Sequence, residues 1–508
     1  MQAGSTPAQV ASELMGCLSD PGKSQDEQCQ AARQLGDLAA EHQLSLATAR
    51  ASVPALVTML GAAERPQGMQ AAADALEQLA RQDDMEAVIL DAALPRLCIL
   101  LQAANPANGG AAATALAALA CHAQFRRPVM DASLPVLVAL LEQPAPAGRA
   151  AAAEALRQIT QYTSCAEELC SCVAGAALSA LDSCLQEASV CACAAVKVVK
   201  NLTRWVSLTQ AVHGQAMPGL IALLHATACP GCLIDVAWAL QKLTTDPALS
   251  SSLVHSALPS LVSLLEDSPV PEGRTHAAWA MHNLALLESQ RKHIADAALG
   301  GLVALVWDDS NPEGRTAAAS AVRLLAAGAP HTQRQHIARE AVAALVALLE
   351  DVSIPGGRTA AASAVECLAL DASHAQRKLI ADAALPGLVA LVQSYRIPEG
   401  RTAAASAVRT LASGSSRAQL KHIADAALTG LVRLLQAGCN PLGQEQAAQA
   451  ICELATSTNS LLRRSIYLAA CRDLERLSKG AASQAGSAAA KEALKRLTSY
   501  CGVWTCWH

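Results

Sequence analysis

The residues best suited to chemistry are cysteines, eighteen in a chain of 508 residues and densest between Cys165 and Cys232. Cys229 and Cys232 frame Cys-Pro-Gly-Cys, the spacing of a zinc half-site or of a dithiol redox motif. A zinc site of that kind wants a second pair, and a thioredoxin-like dithiol wants a βαβ setting. Neither is apparent, so the cluster is read as small, buried, reduced side chains, and no metal or cofactor is expected. Cys501, Cys506 and His508, in the closing CGVWTCWH, form an equally incomplete set. His293, His336 and His422 recur about one repeat apart, too distant to share an ion, and are read as solvated. No phosphate-cradling loop, H-E-x-x-H, G-x-S-x-G or kinase signature occurs, so the expectation is a protein that is not an enzyme.

A row of cations is the second candidate. Arg274, Arg315, Arg358 and Arg401 recur in register, with Arg149 further up, and guanidinium groups in a row suit an acidic partner. Each stands in a first helical turn, where the dipole disfavours a cation. Three follow an acidic residue seven positions earlier, at Asp267, Asp308 and Asp351. The row is therefore read as ordinary surface pairs of small worth.

What positions all of these is a repeat. Residues 312–323, PEGRTAAASAVR, return unchanged as 398–409, with variants at 355–366 (PGGRTAAASAVE) and 271–282 (PEGRTHAAWAMH). One unit is thus about 43 residues, the scale of stacked helical repeats. A second landmark, A-x-L-P-x-L-V-x-L-L, recurs with its step at Pro54, Pro95, Pro135, Ser179, Pro218, Pro259, Gly300, Ala343, Pro386 and Thr429. That spacing leaves no room for an inserted domain, and proline at the step suits the first turn of a helix. Each unit reads as an apolar helix (385–392), a turn rich in Pro, Gly, Asp and Ser, a longer helix (399–412) and a short one, KHIADAA. Three helices per unit are expected. Residues 1–460 read as one solenoid, and 461–508 as more highly charged capping helices with a short tail.

Composition agrees. Aromatic residues are 2% of the chain, with Phe125 the single Phe, while Ala, Leu and Val fill the periodic positions. Alanine is the strongest helix former and lets helices approach closely. The net charge of −5 lies in no long block, so no nucleic-acid partner is expected. No apolar run approaches the roughly 18–20 residues of a membrane span, and residues 1–11 lack a basic region followed by an apolar core. A monomer in cytoplasm, nucleus or both is expected, with no membrane insertion.

With the unit laid out, residues 258–297, ending their long helix in A-W-A-M-H-N-L-A, resemble an armadillo repeat, and the resemblance covers roughly residues 9–455. The nearest units resemble those of importin-alpha and vacuolar-protein-8-like proteins. It implies an all-α, right-handed superhelix of about eleven three-helix repeats, whose long third helices line a concave groove. There, an Asn near each helix end holds the backbone of an extended peptide, and in import adaptors a Trp one turn earlier completes W-x-x-x-N. That pair is whole at Trp279 and Asn283; Trp238 is followed by Lys242, and Asn201 is preceded by Lys197. Elsewhere the Asn place holds Asp37, Gln78, Ala118, Gln158, Leu324, Cys367, Thr410 and Glu453, so the amide ladder is broken.

The site expected is a peptide-binding groove at Asn201, Trp238, Lys242, Trp279 and Asn283, with the two tryptophans side by side. The function expected is a protein-binding scaffold for an extended peptide or helix of a partner. The alternatives are a substrate-recruiting subunit of a ubiquitin ligase without its own U-box, and a divergent import adaptor without the Arg-rich carrier-binding segment. For the last, Asp235 and Asp246 are the nearest acidic complement to a Lys-rich peptide.

Overall fold

The computed structural model describes residues 7–20, 22–62, 66–82, 85–102, 106–144, 146–161, 167–187, 190–226, 229–456 and 460–498. Cys165, Cys501, Cys506 and His508 lie outside the described residues. Among the described residues every regular element is a helix and no strand occurs. The chain forms two compact units, Met1–Leu249 and Ser250–His508. In each, a first helix and a second helix alternate, first helices packing on first and second on second.

One detail differs from the sequence reading. The two shorter helices on either side of the A-x-L-P step run on as one, as in Glu288–Val306, Ser250–Asp267 across Pro259, and His374–Val392 across Pro386. In these repeats two helices stand where the sequence reading has three. An interior proline forfeits one i→i−4 hydrogen bond, a local cost. The apolar stripe is continuous through the step at Pro259: Leu253, Val254, Ala257, Leu258, Leu261 and Leu265 are all buried, and that packing holds the helix together.

The second helices of the later unit explain the P-x-G-R motif. In Pro312–Ala326 the proline takes a first-turn position, and Asn311 caps the helix by accepting the Gly314 N–H at 2.9 Å. Asn311 also donates through Nδ2 to the Pro271 carbonyl of the preceding repeat at 2.8 Å. Gly314 has no room for a side chain, because a Cβ there would collide with the Asn311 amide. The same cap recurs at Asn440, which accepts from Gly443 N–H and donates to the Pro398 carbonyl.

The arginine row is not the surface pairing read from sequence. Arg315, Arg358 and Arg401 are 3–4% exposed. Their Nε atoms donate to the carbonyls of Val306, Leu349 and Val392 at 2.8, 2.7 and 3.0 Å, each nine residues back at the end of the preceding helix. The turn folds the first turn of one helix beneath the last turn of the other, so a cation meets the negative end of a second dipole, which outweighs its own. In the next repeat Gln444 does the same through Nε2 to the Leu435 carbonyl at 2.9 Å. Ion pairs reach forward to the following repeat: Arg274 to Asp308 at 2.8 Å and Arg315 to Asp351 at 2.7 Å. Burial pushes the Arg358 guanidinium down from its ordinary value, and Asp351 partly offsets that.

A further row went unread in the sequence. Arg291, Arg334 and Arg377 on the first helices donate to the carbonyls of Ala327, Leu370 and Ser413 in the loop one repeat on. They also bond the carbonyls of Ala285, Ala329 and Ala372 in the loop before their own helix.

In the first unit, Glu167–Gln186 is long and apolar enough to cross a membrane by length and composition alone. The expectation that no stretch has this property is corrected. Leu169, Val173, Ala177, Leu178 and Leu181 are each at most 1% exposed, as in a core helix.

Two outcomes follow. Arg358→Met strands the Leu349 carbonyl and should lower stability by about 1–3 kcal/mol in urea unfolding, with Arg358→Lys recovering little because an ammonium lacks the planar fork. Gly314→Ala should be destabilising by about 1–2 kcal/mol despite alanine's better helix propensity, because its Cβ displaces the Asn311 cap. A lowered melting temperature checks the sign.

Candidate functional site

In the first unit the second helices Val190–Leu202 and Pro230–Leu243 pack side by side. Trp238 is half-buried between them. The Lys200 and Lys242 ammonium groups stand over its ring, at 5.4 and 5.3 Å from the centroid. Lys242 sits there because residues four apart on a helix are neighbours. Lys200 comes from the adjacent repeat and also pairs with Asp235. Nearby, Lys197 is exposed and adds its charge to the surroundings of Glu154, which Arg157 holds below its ordinary value.

The other expected residues divide. Asn201 is 7% exposed, and its Nδ2 donates to Thr160 Oγ1 at 3.2 Å one repeat back, so its amide ties helices together. Asp235 is equally buried and is taken up by Lys200. Asp246 accepts from Thr209 Oγ1 at 2.9 Å. Trp279 and Asn283 lie in the second unit, both half-buried on Pro271–Leu284. Trp279 meets His282 edge to face, with centroids 5.3 Å apart. Burial pushes the His282 imidazole down from its ordinary value, with a backbone bond to Ser320 opposing and Arg323 reinforcing the shift. Later repeats carry a smaller polar set: Ser406 donates to Glu366 Oε1 at 2.6 Å, and Arg409 lies 3.5 Å from the same oxygen. The broken amide ladder is thus replaced by small and charged side chains.

His293, His336 and His422 are exposed, as read. Among the described residues the cysteines form no disulfide, and those of the first unit's cluster are of two kinds. Cys170, Cys184 and Cys191 are buried, and desolvation pushes Cys184 up to about 12. The Cys-Pro-Gly-Cys pair is different: Cys229 is exposed at the N-cap of Pro230–Leu243, and Cys193 of the neighbouring helix lies beside both of its thiols. Sequence reading placed Cys193 in the cluster without joining it to Cys229 and Cys232, and it missed Lys200. The available signal was the repeat itself, since each stands about one repeat before its partner.

A family profile described as "Armadillo/beta-catenin-like repeat" matches residues 246–286. No curated protein sequence matches the chain. Among solved structures, one reported for the phosphorylation switch controlling the interaction between cadherin and beta-catenin is 16% identical. It covers 96% of this chain and 100% of its own, with a TM-score of 0.63. An engineered protein is 24% identical, covering 88% of this chain and 99% of its own, with a TM-score of 0.54. The chain carries an armadillo repeat at residues 246–286, and its fold is that of the armadillo-repeat proteins.

Proposed function

We propose that the chain is a non-enzymatic scaffold that holds an extended, acidic segment of a partner protein along the second-helix face around Trp238. The observation that carries this reading is the pair of ammonium groups over the Trp238 ring. In a site for a Lys-rich peptide the indole face would be free for the partner's cations; here the chain's own lysines take that place. The carboxylates that would have complemented a basic peptide are engaged internally, Asp235 by Lys200 and Asp246 by Thr209. Lys197, Lys200 and Lys242 outnumber Asp235 on Val190–Leu202 and Pro230–Leu243, although the whole chain carries −5. A local cationic surface on an acidic protein favours a carboxylate-bearing partner and steers its approach. The import-adaptor reading is correspondingly disfavoured.

The test compares fluorescence anisotropy of three labelled peptides of equal length, one rich in Glu and Asp, one rich in Lys and one neutral. The acidic peptide should bind best and weaken as salt rises. Lys242→Glu should cost it about tenfold in affinity or more, as loss of a charge contact at an interface does. Preference for the Lys-rich peptide, or indifference to Lys242→Glu, overturns the reading.

A further inference from the structure

Cys193, Cys229 and Cys232 bring their Sγ atoms within 4.8 Å of one another. They come from two repeats of the first unit: Cys193 from the first turn of Val190–Leu202, Cys229 from the N-cap of Pro230–Leu243, and Cys232 from its first turn. Cys232 is buried, Cys193 half-buried and Cys229 exposed, so the group opens to solvent on one side. We propose that these three thiols bind one thiophilic d¹⁰ cation, Zn²⁺ or Cu⁺, as thiolates, releasing their protons to solvent; Cu⁺ would be held by the three sulfurs alone and Zn²⁺ would keep a fourth position facing solvent.

The geometry suits the ion. Sulfur ligands about 2.3 Å from a common centre stand roughly 3.8–4.0 Å apart in tetrahedral or trigonal arrangement. The Cys193–Cys232 contact, now 2.7 Å, has to open by about 1 Å to admit an ion, a movement within reach of side-chain rotation. The other separations already lie within 4.8 Å. Among the described residues no His or carboxylate joins the three within that radius. An all-sulfur set selects soft cations over Mg²⁺, Ca²⁺ or Mn²⁺. A disulfide would use two of the thiols and leave the third without a role, whereas a cation uses all three. Such an ion would fasten the start of one second helix to the start of the next, two turns from Lys200 on the first of them, without itself touching the proposed peptide.

Uptake is measured on the reduced full-length chain, offered Zn²⁺ alone or Cu⁺ alone in the presence of a competing chelator and then desalted. Bound metal is counted by mass spectrometry, and protection of individual cysteines by alkylation mapping. One equivalent of either ion is expected, with Cys193, Cys229 and Cys232 protected together; the arm that retains its ion against the stronger chelator identifies the cation. Each of Cys193→Ser and Cys229→Ser should weaken binding by at least about tenfold to a hundredfold, the range already seen for outer-shell partners of a metal site. Cys172→Ser and Cys439→Ser, at lone exposed thiols, should leave it unchanged. Because Cys229 is exposed, its variant keeps the fold, and circular dichroism verifies this. No uptake, uptake unaffected by Cys193→Ser, or closure of a Cys193–Cys232 disulfide in place of metal binding each overturns the proposal. None of these readouts involves peptide, so failure here leaves the scaffold reading standing.

Discussion

The later unit depends on what becomes of the carbonyl groups at the end of each long helix. A helix terminus leaves its last carbonyls without partners, and stacking repeats forces those ends beneath the next helix, away from water. Arg315, Arg358, Arg401 and then Gln444 supply the missing donor to Val306, Leu349, Val392 and Leu435. Burying a guanidinium is costly unless it is hydrogen-bonded, so the contact works only where the turn geometry is kept. That need accounts for the rest of the motif. The proline starts the helix, the glycine admits the preceding residue's side chain against the helix, and the arginine then falls beneath the carbonyl.

This arrangement leaves little energetic work for large side chains. The second helices are faced with alanine, with Ala317, Ala318, Ala319 and Ala321 all at 0% exposure. Each such residue buries little apolar area and contributes modestly. Ordering between neighbours therefore leans on directional contacts: the Asn311 and Asn440 caps reaching one repeat back, and Arg291, Arg334 and Arg377 reaching one repeat on. In a solenoid each repeat is stabilised chiefly by its neighbours. Bonds across the repeat boundary thus set how consecutive second helices register, and with it which outward side chains meet.

Periodicity made the fold class legible. The return of PEGRTAAASAVR after two units of about 43 residues, with a variant midway, and the alanine-rich helical spacing specify stacked helices with almost no aromatic content. What periodicity does not encode is the angle of the turn. Residues nine apart across a Pro-Gly turn look unrelated on a helical wheel, so Arg358 reads as a surface cation although it lies at 3% exposure. The same blindness applies at the site. Trp238 and Lys242 were legible because they are four apart on one helix. Asn201 looked like an outward amide until Thr160, 41 residues earlier, proved to be its partner. The helix joint was misjudged for a different reason: proline has a strong local preference, and tertiary packing overrode it.

The chemistry of a repeat protein accordingly lies between repeats, and sequence distance of about one unit is its natural coordinate. Lys200 meets Asp235 and Trp238; Cys193 meets Cys232, 39 residues on. Both groupings arise on the same pair of second helices, which bring together a half-buried indole, the two lysines over its ring and the three clustered thiols where the PEGR repeats offer alanine and serine. The PEGR repeats, by contrast, devote their arginines to holding neighbours together. A solenoid built from near-identical units becomes specific where units depart from the consensus, because only there does the interface between neighbours acquire groups that stacking does not require. Helices 190–202 and 230–243 depart from it in this way, and the candidate binding chemistry is found on them.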